Sequence, residues 1–214
     1  RGILRKQIGE TAADAMFEAC IETDQALDAA EEGVASRPYA ARLHHSWHIL
    51  FPPHLKNGPM RTGTSLSDYC GDGIDPAAWR DTLRRECAAY SRALAHAERS
   101  VAAAFEHEEP FYRPMPNPAT TVRMSCREVA KVAANAIRIV LACKRTHLNF
   151  LESELGPGAG TAAAWAPELE NMQDLSAALE ERRAWMPTKS GLRRLEGFLK
   201  RCREKIAAIE AFGR

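Results

Sequence analysis

Asp75-Pro76-Ala77-Ala78-Trp79-Arg80-Asp81-Thr82-Leu83-Arg84-Arg85-Glu86-Cys87-Ala88-Ala89-Tyr90-Ser91-Arg92-Ala93-Leu94 decides the class of fold. Asp followed by Pro is a helix start: the aspartate side chain accepts an orphan backbone N–H, and proline at the first helical position has no N–H to leave unpaired. From there the apolar residues Trp79, Leu83, Cys87, Tyr90, Leu94, Ala97, Val101 and Phe105 recur at alternating spacings of four and three. That spacing keeps one face of a helix against a core over many turns.

Working outward, four further segments carry the same period. Residues 3–32 place Ile8, Ala12, Met16, Cys20, Leu27 and Ala30 on one side. A third helix is predicted to start at Asn117 and Pro118, behind the breakers Pro110, Pro114 and Pro116. Its stripe of Val122, Cys126, Val129, Ala133, Ala136, Val140, Cys143 and Leu151 is widened by Ile137, Leu141 and Leu148. A stripe that wide is buried against more than one neighbour. Gly156-Pro157-Gly158-Ala159-Gly160 ends it. A fourth helix is expected over residues 167–186, with Leu169, Met172, Leu175 and Leu179 inward. A fifth follows Ser190, through Leu192, Leu195, Leu199, Cys202, Ile206 and Ile209. No segment alternates as a strand does. The expected architecture is all-α: a bundle of four or five long antiparallel helices forming a single domain over residues 1–214. Residues 33–74 form one long irregular excursion, rich in Gly and Pro and without a clear period.

Composition limits the function. The chain has 214 residues, 45% of them hydrophobic, enough to bury roughly 70% of the unfolded surface without a metal or disulfide staple. Twenty-nine Lys and Arg against 28 Asp and Glu leave a formal charge of +1, which argues against a nucleic-acid partner. No run approaches the roughly 18 apolar residues that span a bilayer. The six cysteines, Cys20, Cys70, Cys87, Cys126, Cys143 and Cys202, have no paired spacing. All but Cys70 fall on apolar helix faces, which reads as reduced thiols in a cytoplasmic or organellar setting. The first residue is Arg1, so a processed product or a piece of a longer protein is expected.

The candidate chemistries are thin. His44, His45, His48 and His54 cluster, and His44 with His48 would share a helical face, but no third ligand accompanies them at zinc spacing. No Glu-x-x-His motif suits a di-iron bundle: His107 directly follows Glu106, and neither His96 nor His147 has a Glu three before it. Thiols among aliphatic residues are inert, and Cys70 near Asp68 is the lone cysteine in an irregular region. Neither glycine-rich stretch has the strand, helix and Lys-Ser/Thr context of a phosphate loop. No catalytic residue, metal ligand or cofactor is assigned, and an enzyme is not expected.

Charge placement says more. Residues 1–35 carry three basic side chains against eight acidic ones, and residues 189–214 carry eight basic against three acidic. One account has the two end helices simply solvated, or side by side with attracting flanks. The other has Arg193, Arg194, Lys200, Arg201 and Arg203 offering a basic face to an acidic protein partner or an anionic membrane surface, at about 1 kcal/mol per basic residue.

Arg85-Glu86-Cys87-Ala88-Ala89-Tyr90-Ser91-Arg92-Ala93-Leu94 resembles a helix in the soluble C-terminal region of aluminium-activated malate transporters, plant anion channels related to bacterial aromatic-acid exporters. Pro118, Cys126, Arg127, Val129, Lys131 and Val132 resemble the helix that follows in that family. The likeness runs over about residues 17–151, and Arg37-Pro38-Tyr39 stands where the family has Trp-Glu-Pro. It implies a cytosolic helical domain, at a membrane face, that associates between subunits and regulates a pore lying elsewhere. Two alternatives remain open: a peripheral helical subunit of an organellar complex, and a small-ligand-binding or enzymatic domain with residues 33–74 lidding a pocket.

Overall fold

The structure, a computed structural model, describes residues 2–32, 75–104, 111–112, 123–159, 161–186 and 188–212. Among them the chain is all-α. Six α-helices follow in order: α1 (Gly2–Ile8), α2 (Glu10–Glu32), α3 (Pro76–Ala103), α4 (Cys126–Leu155), α5 (Ala166–Arg183) and α6 (Lys189–Phe212). Two strands of two residues each, β1 (Phe111–Tyr112) and β2 (Arg123–Met124), pair antiparallel ahead of α4. Residues 33–74, with the histidines and Cys70, lie outside the described residues, as do Phe105, Asn117, Pro118 and Val122 and the side chains of Leu27, Ala30 and Cys126.

Three boundaries differ from the sequence expectation. The first helix breaks at Gly9, whose φ of 91° lies in the left-handed region that favours glycine. Arg5 on α1 reaches across that break and grips both carboxylate oxygens of Asp14 on α2 at 2.9 and 3.0 Å. The helix expected from Asn117 starts instead at Cys126, because Arg123 and Met124 are extended and paired. Ser125 caps it: Glu128 N–H donates to Ser125 Oγ at 3.2 Å, and Ser125 N–H donates to Glu128 Oε2 at 2.6 Å. This reciprocal capping box satisfies two backbone donors at the start of α4. Thr188, not Ser190, opens α6, its Oγ1 accepting from Gly191 N–H at 3.1 Å.

The start of α3 is as expected. Ala77 N–H donates to Asp75 Oδ1 at 3.0 Å, and Pro76 follows the cap. Trp79, Leu83, Cys87, Tyr90 and Ala97 are all buried. Ala89, Ala93 and Ser100 are buried too, because α3 packs between α2 and α4.

Successive helices pack in chain order, α2 on α3, α3 on α4, α4 on α5 and α5 on α6. The last three are joined by short connections, which makes neighbours antiparallel. The largest core cluster lies among α4, α5 and α6 and holds Ile139, Met172, Leu175, Leu179, Leu195 and Leu199. A second joins Trp79 and Leu83 of α3 to Phe150, Leu151 and Trp165 and to Ile209 of α6. The α1–α2 side is closed largely by alanines, Ala12, Ala13 and Ala19 against Ala97, Ala104, Ala130 and Ala134, with Ile8 buried among them and Met16 and Val101 packed alongside.

Candidate functional site

Two places gather polar chemistry: a buried charge network with a cleft beside it, and the outer face of α6. The network begins with residues that sit on apolar stripes yet carry charge. Glu168 lies one turn before Met172 on α5, and Lys205 lies between Cys202 and Ile209 on α6. Both are almost fully buried and form an ion pair. Burial pushes the Lys205 ammonium below the usual lysine range, and the charge of Glu168 opposes that shift.

Neutral donors complete the carboxylate's shell. Thr146 Oγ1 donates to Glu168 Oε1 at 3.1 Å, and Asn149 Nδ2 and Asn171 Nδ2 donate to Oε2 at 2.8 and 3.2 Å. Asn171 also donates to Ala142 C=O at 3.0 Å. One carboxylate thereby ties α4, α5 and α6 together. A second buried pair ties α3 to α4, with Lys144 Nζ 2.5 Å from Glu86 Oε2. Neither Glu86 oxygen accepts a well-aligned hydrogen bond among the described residues, so the ammonium charge is its main compensation.

Beside the first network, α3 and α5 flank α4 and leave a cleft of about 450 Å³. Each helix contributes one stripe. Cys87 and Ser91 come from α3, Arg145, Leu148 and Asn149 from α4, and Glu170, Asn171 and Asp174 from α5. Asn149 and Asn171 therefore stand between the cleft and the Glu168–Lys205 pair. Arg145 Nη2 donates to Ser91 Oγ at 3.4 Å, and Ser91 Oγ donates to Cys87 C=O at 2.7 Å.

Cys87, Cys143 and Cys202 are poor nucleophiles. Burial pushes Cys87 and Cys143 up to about 12 and Cys202 up to about 11, leaving almost no thiolate at neutral pH. Cys20 corrects the sequence expectation: it faces solvent, because Ala19 rather than Cys20 points at α3. Among the described residues no three His, Cys, Asp or Glu side chains come together as a metal site would require.

The five basic residues expected at a surface, Arg193, Arg194, Lys200, Arg201 and Arg203, are all exposed along α6. Arg203 is drawn to Glu180 on α5 at 3.1 Å, and Lys200 lies 3.8 Å from Glu204. Arg193 and Arg194 make no ion pair among the described residues. Lys205, counted in the same basic run, does not join this face, since its place on the apolar stripe turns it inward. The acidic N-terminal helix and the basic C-terminal helix take different main neighbours, α2 on α3 and α6 on α5, so mutual attraction does not explain their charges. Glu22 of α2 instead accepts from Arg92 of α3 at 2.9 Å.

Sequence reading missed the buried pairs and the cleft. A signal was present: Glu86, Lys144, Glu168 and Lys205 all fall in phase with the apolar stripes of their helices. Among the described residues no helix is long and apolar enough to cross a membrane. Comparison with protein-family models, with curated proteins and with solved structures finds no match.

Proposed function

We propose that this chain is a non-catalytic helical interaction domain that uses the outer face of α6 as its contact surface. The carrying observation is the exposed row of Arg193, Arg194, Lys200, Arg201 and Arg203 on the last helix of the packed series. Two of these guanidinium groups have no carboxylate to neutralise them among the described residues. The interior chemistry supports the non-catalytic half of the reading: its charges are consumed in inter-helix pairs, and its thiols are held protonated.

An anionic membrane surface suits such a row, at about 1 kcal/mol per basic residue. Sedimentation with phosphatidylserine-containing vesicles is the test. Binding should weaken as salt rises and fall sharply in Arg193→Glu/Arg194→Glu, while neutral phosphatidylcholine vesicles bind little. Binding indifferent to vesicle charge would sink the proposal.

The finer reading, drawn from the resemblance, makes the chain the cytoplasmic regulatory domain of an anion channel or exporter. In its favour, Arg85–Leu94 sits on α3 and Cys126–Val132 on α4, and these two helices pack directly on each other. Coding sequence for several spans of about 20 apolar residues upstream of Arg1 would support it. An upstream start codon without such spans would end it.

A further inference from the structure

The cleft between α3 and α5 carries a charge pattern that the packing does not use. Its floor holds Arg145, half-buried on α4, whose one hydrogen bond among the described residues is the long one to Ser91. A guanidinium has five N–H donors in a planar fork suited to a carboxylate. Most of those donors have no acceptor among the described residues. The α5 wall holds Glu170 and Asp174, one helical turn apart and exposed. Neither makes an ion pair among the described residues, with Arg145 or with any other base.

A third group points the same way. Asn171 lines the cleft, is 3% exposed, and spends its amide nitrogen on Ala142 C=O, Thr146 and Glu168. Its carbonyl Oδ1 has no hydrogen-bond partner among the described residues, and such a group is costly to leave unpaired. Leu148 and Pro167 add apolar wall. The volume, about 450 Å³, lies in the range of small-molecule sites.

A plain anion would meet Glu170 and Asp174, and a plain cation would meet Arg145. A small zwitterion satisfies both signs. We propose that this cleft binds a free α-amino acid, its carboxylate on the guanidinium of Arg145 and its ammonium toward Glu170 and Asp174. The amino acid's side chain would lie along Leu148 and Pro167. The inference does not rest on the α6 surface, and the two fail separately: reversing Arg193 and Arg194 should leave amino-acid binding unchanged.

The test is titration of the whole chain with the panel of proteinogenic amino acids, followed by calorimetry and amide NMR shifts. For the tightest binder, its deamino acid and its decarboxylated amine are titrated as well. The expected result is binding of the amino acid, with both truncated probes weaker by roughly tenfold or more, the value of one charge-assisted contact. Arg145→Gln should weaken binding to a similar extent. Because Arg145 also touches α3, Asp174→Asn serves as the second variant: its exposed side chain leaves the circular dichroism unchanged while ammonium recognition falls. The proposal is overturned if no amino acid in the panel binds at millimolar concentration. It is equally overturned if the deamino acid or the amine binds as well as the parent, or if Asp174→Asn binds as tightly as the natural chain.

Discussion

The two sides of the bundle are held by different physics. Where α1 and α2 meet α3 and α4, the contact is mostly alanine, Ala12, Ala13, Ala19, Ala97, Ala104, Ala130 and Ala134, with Ile8 buried among them and Met16, Leu94, Val101 and Ile137 partly buried around them. Alanines bury little area each, but they let helix backbones approach closely. Ser100 exploits that approach, its Oγ donating to Ala12 C=O at 2.7 Å. Where α4, α5 and α6 meet, the contact is dominated by leucines, an isoleucine and a methionine, with Ala142, Ala178 and Cys202 between them, and the buried Glu168–Lys205 pair bridges α5 and α6. There each large side chain contributes roughly 1.5–3 kcal/mol of transfer free energy. Shape governs the first side, and burial with charge compensation the second. A small-to-large change should therefore hurt the first, and a large-to-small or charge-deleting change the second.

The largest effect is expected at the buried pair. Lys205→Met leaves Glu168 without its counter-charge and should cost about 3–5 kcal/mol in denaturant unfolding, whereas Glu168→Gln/Lys205→Met should recover most of it. If the single and double variants lose the same stability, the pair is not the element that matters. The pH dependence has a definite sign. The folded value of Lys205 lies below the usual 10.5, so between the two values the unfolded chain binds more protons and stability rises with pH. Glu168→Gln removes the charge that holds the lysine up, so this rise should begin at lower pH. Lys205→Met should abolish the lysine's contribution to the slope.

Next comes the packing contrast itself. Leu175→Ala, in the α4–α6 core, should cost about 2–5 kcal/mol through lost burial and a cavity. Ala97→Leu, in the alanine contact, should cost about 1–3 kcal/mol through overpacking, while a leucine at the exposed helical position Ala88 should cost little. Equal tolerance of Leu at positions 97 and 88 would show that the alanine side is not closely packed.

The smallest effect on stability, and the sharpest on reactivity, concerns the thiols. An alkylating reagent at neutral pH should modify Cys20 in the native chain and leave Cys87, Cys143 and Cys202 untouched until unfolding. Exposure at the first site, burial of Cys87 and Cys202, and the raised pKa of half-buried Cys143 set that order. Fast native labelling of Cys143 would show that the α4–α6 side opens.

The all-α class, the start of α3 and most of its buried stripe were legible in the residues, because capping and the helical period act over a few positions along the chain. The Ser125-Cys126-Arg127-Glu128 box was equally local and still passed over, since the prolines upstream offered a competing start at Asn117. Gly9 was absorbed into a longer helix because helical periodicity alone does not register one residue with positive φ.

Helix identity and the apolar face of each helix can be read along the chain, since both are properties of residues three or four apart. Packing between helices takes Lys205, one base in a basic run, away from the surface to meet Glu168, 37 residues away. It also decides that Arg145 shares a cleft with Glu170 and Asp174 while pairing with neither. Charge compensation acts through space across helices, and no spacing along a single helix encodes it.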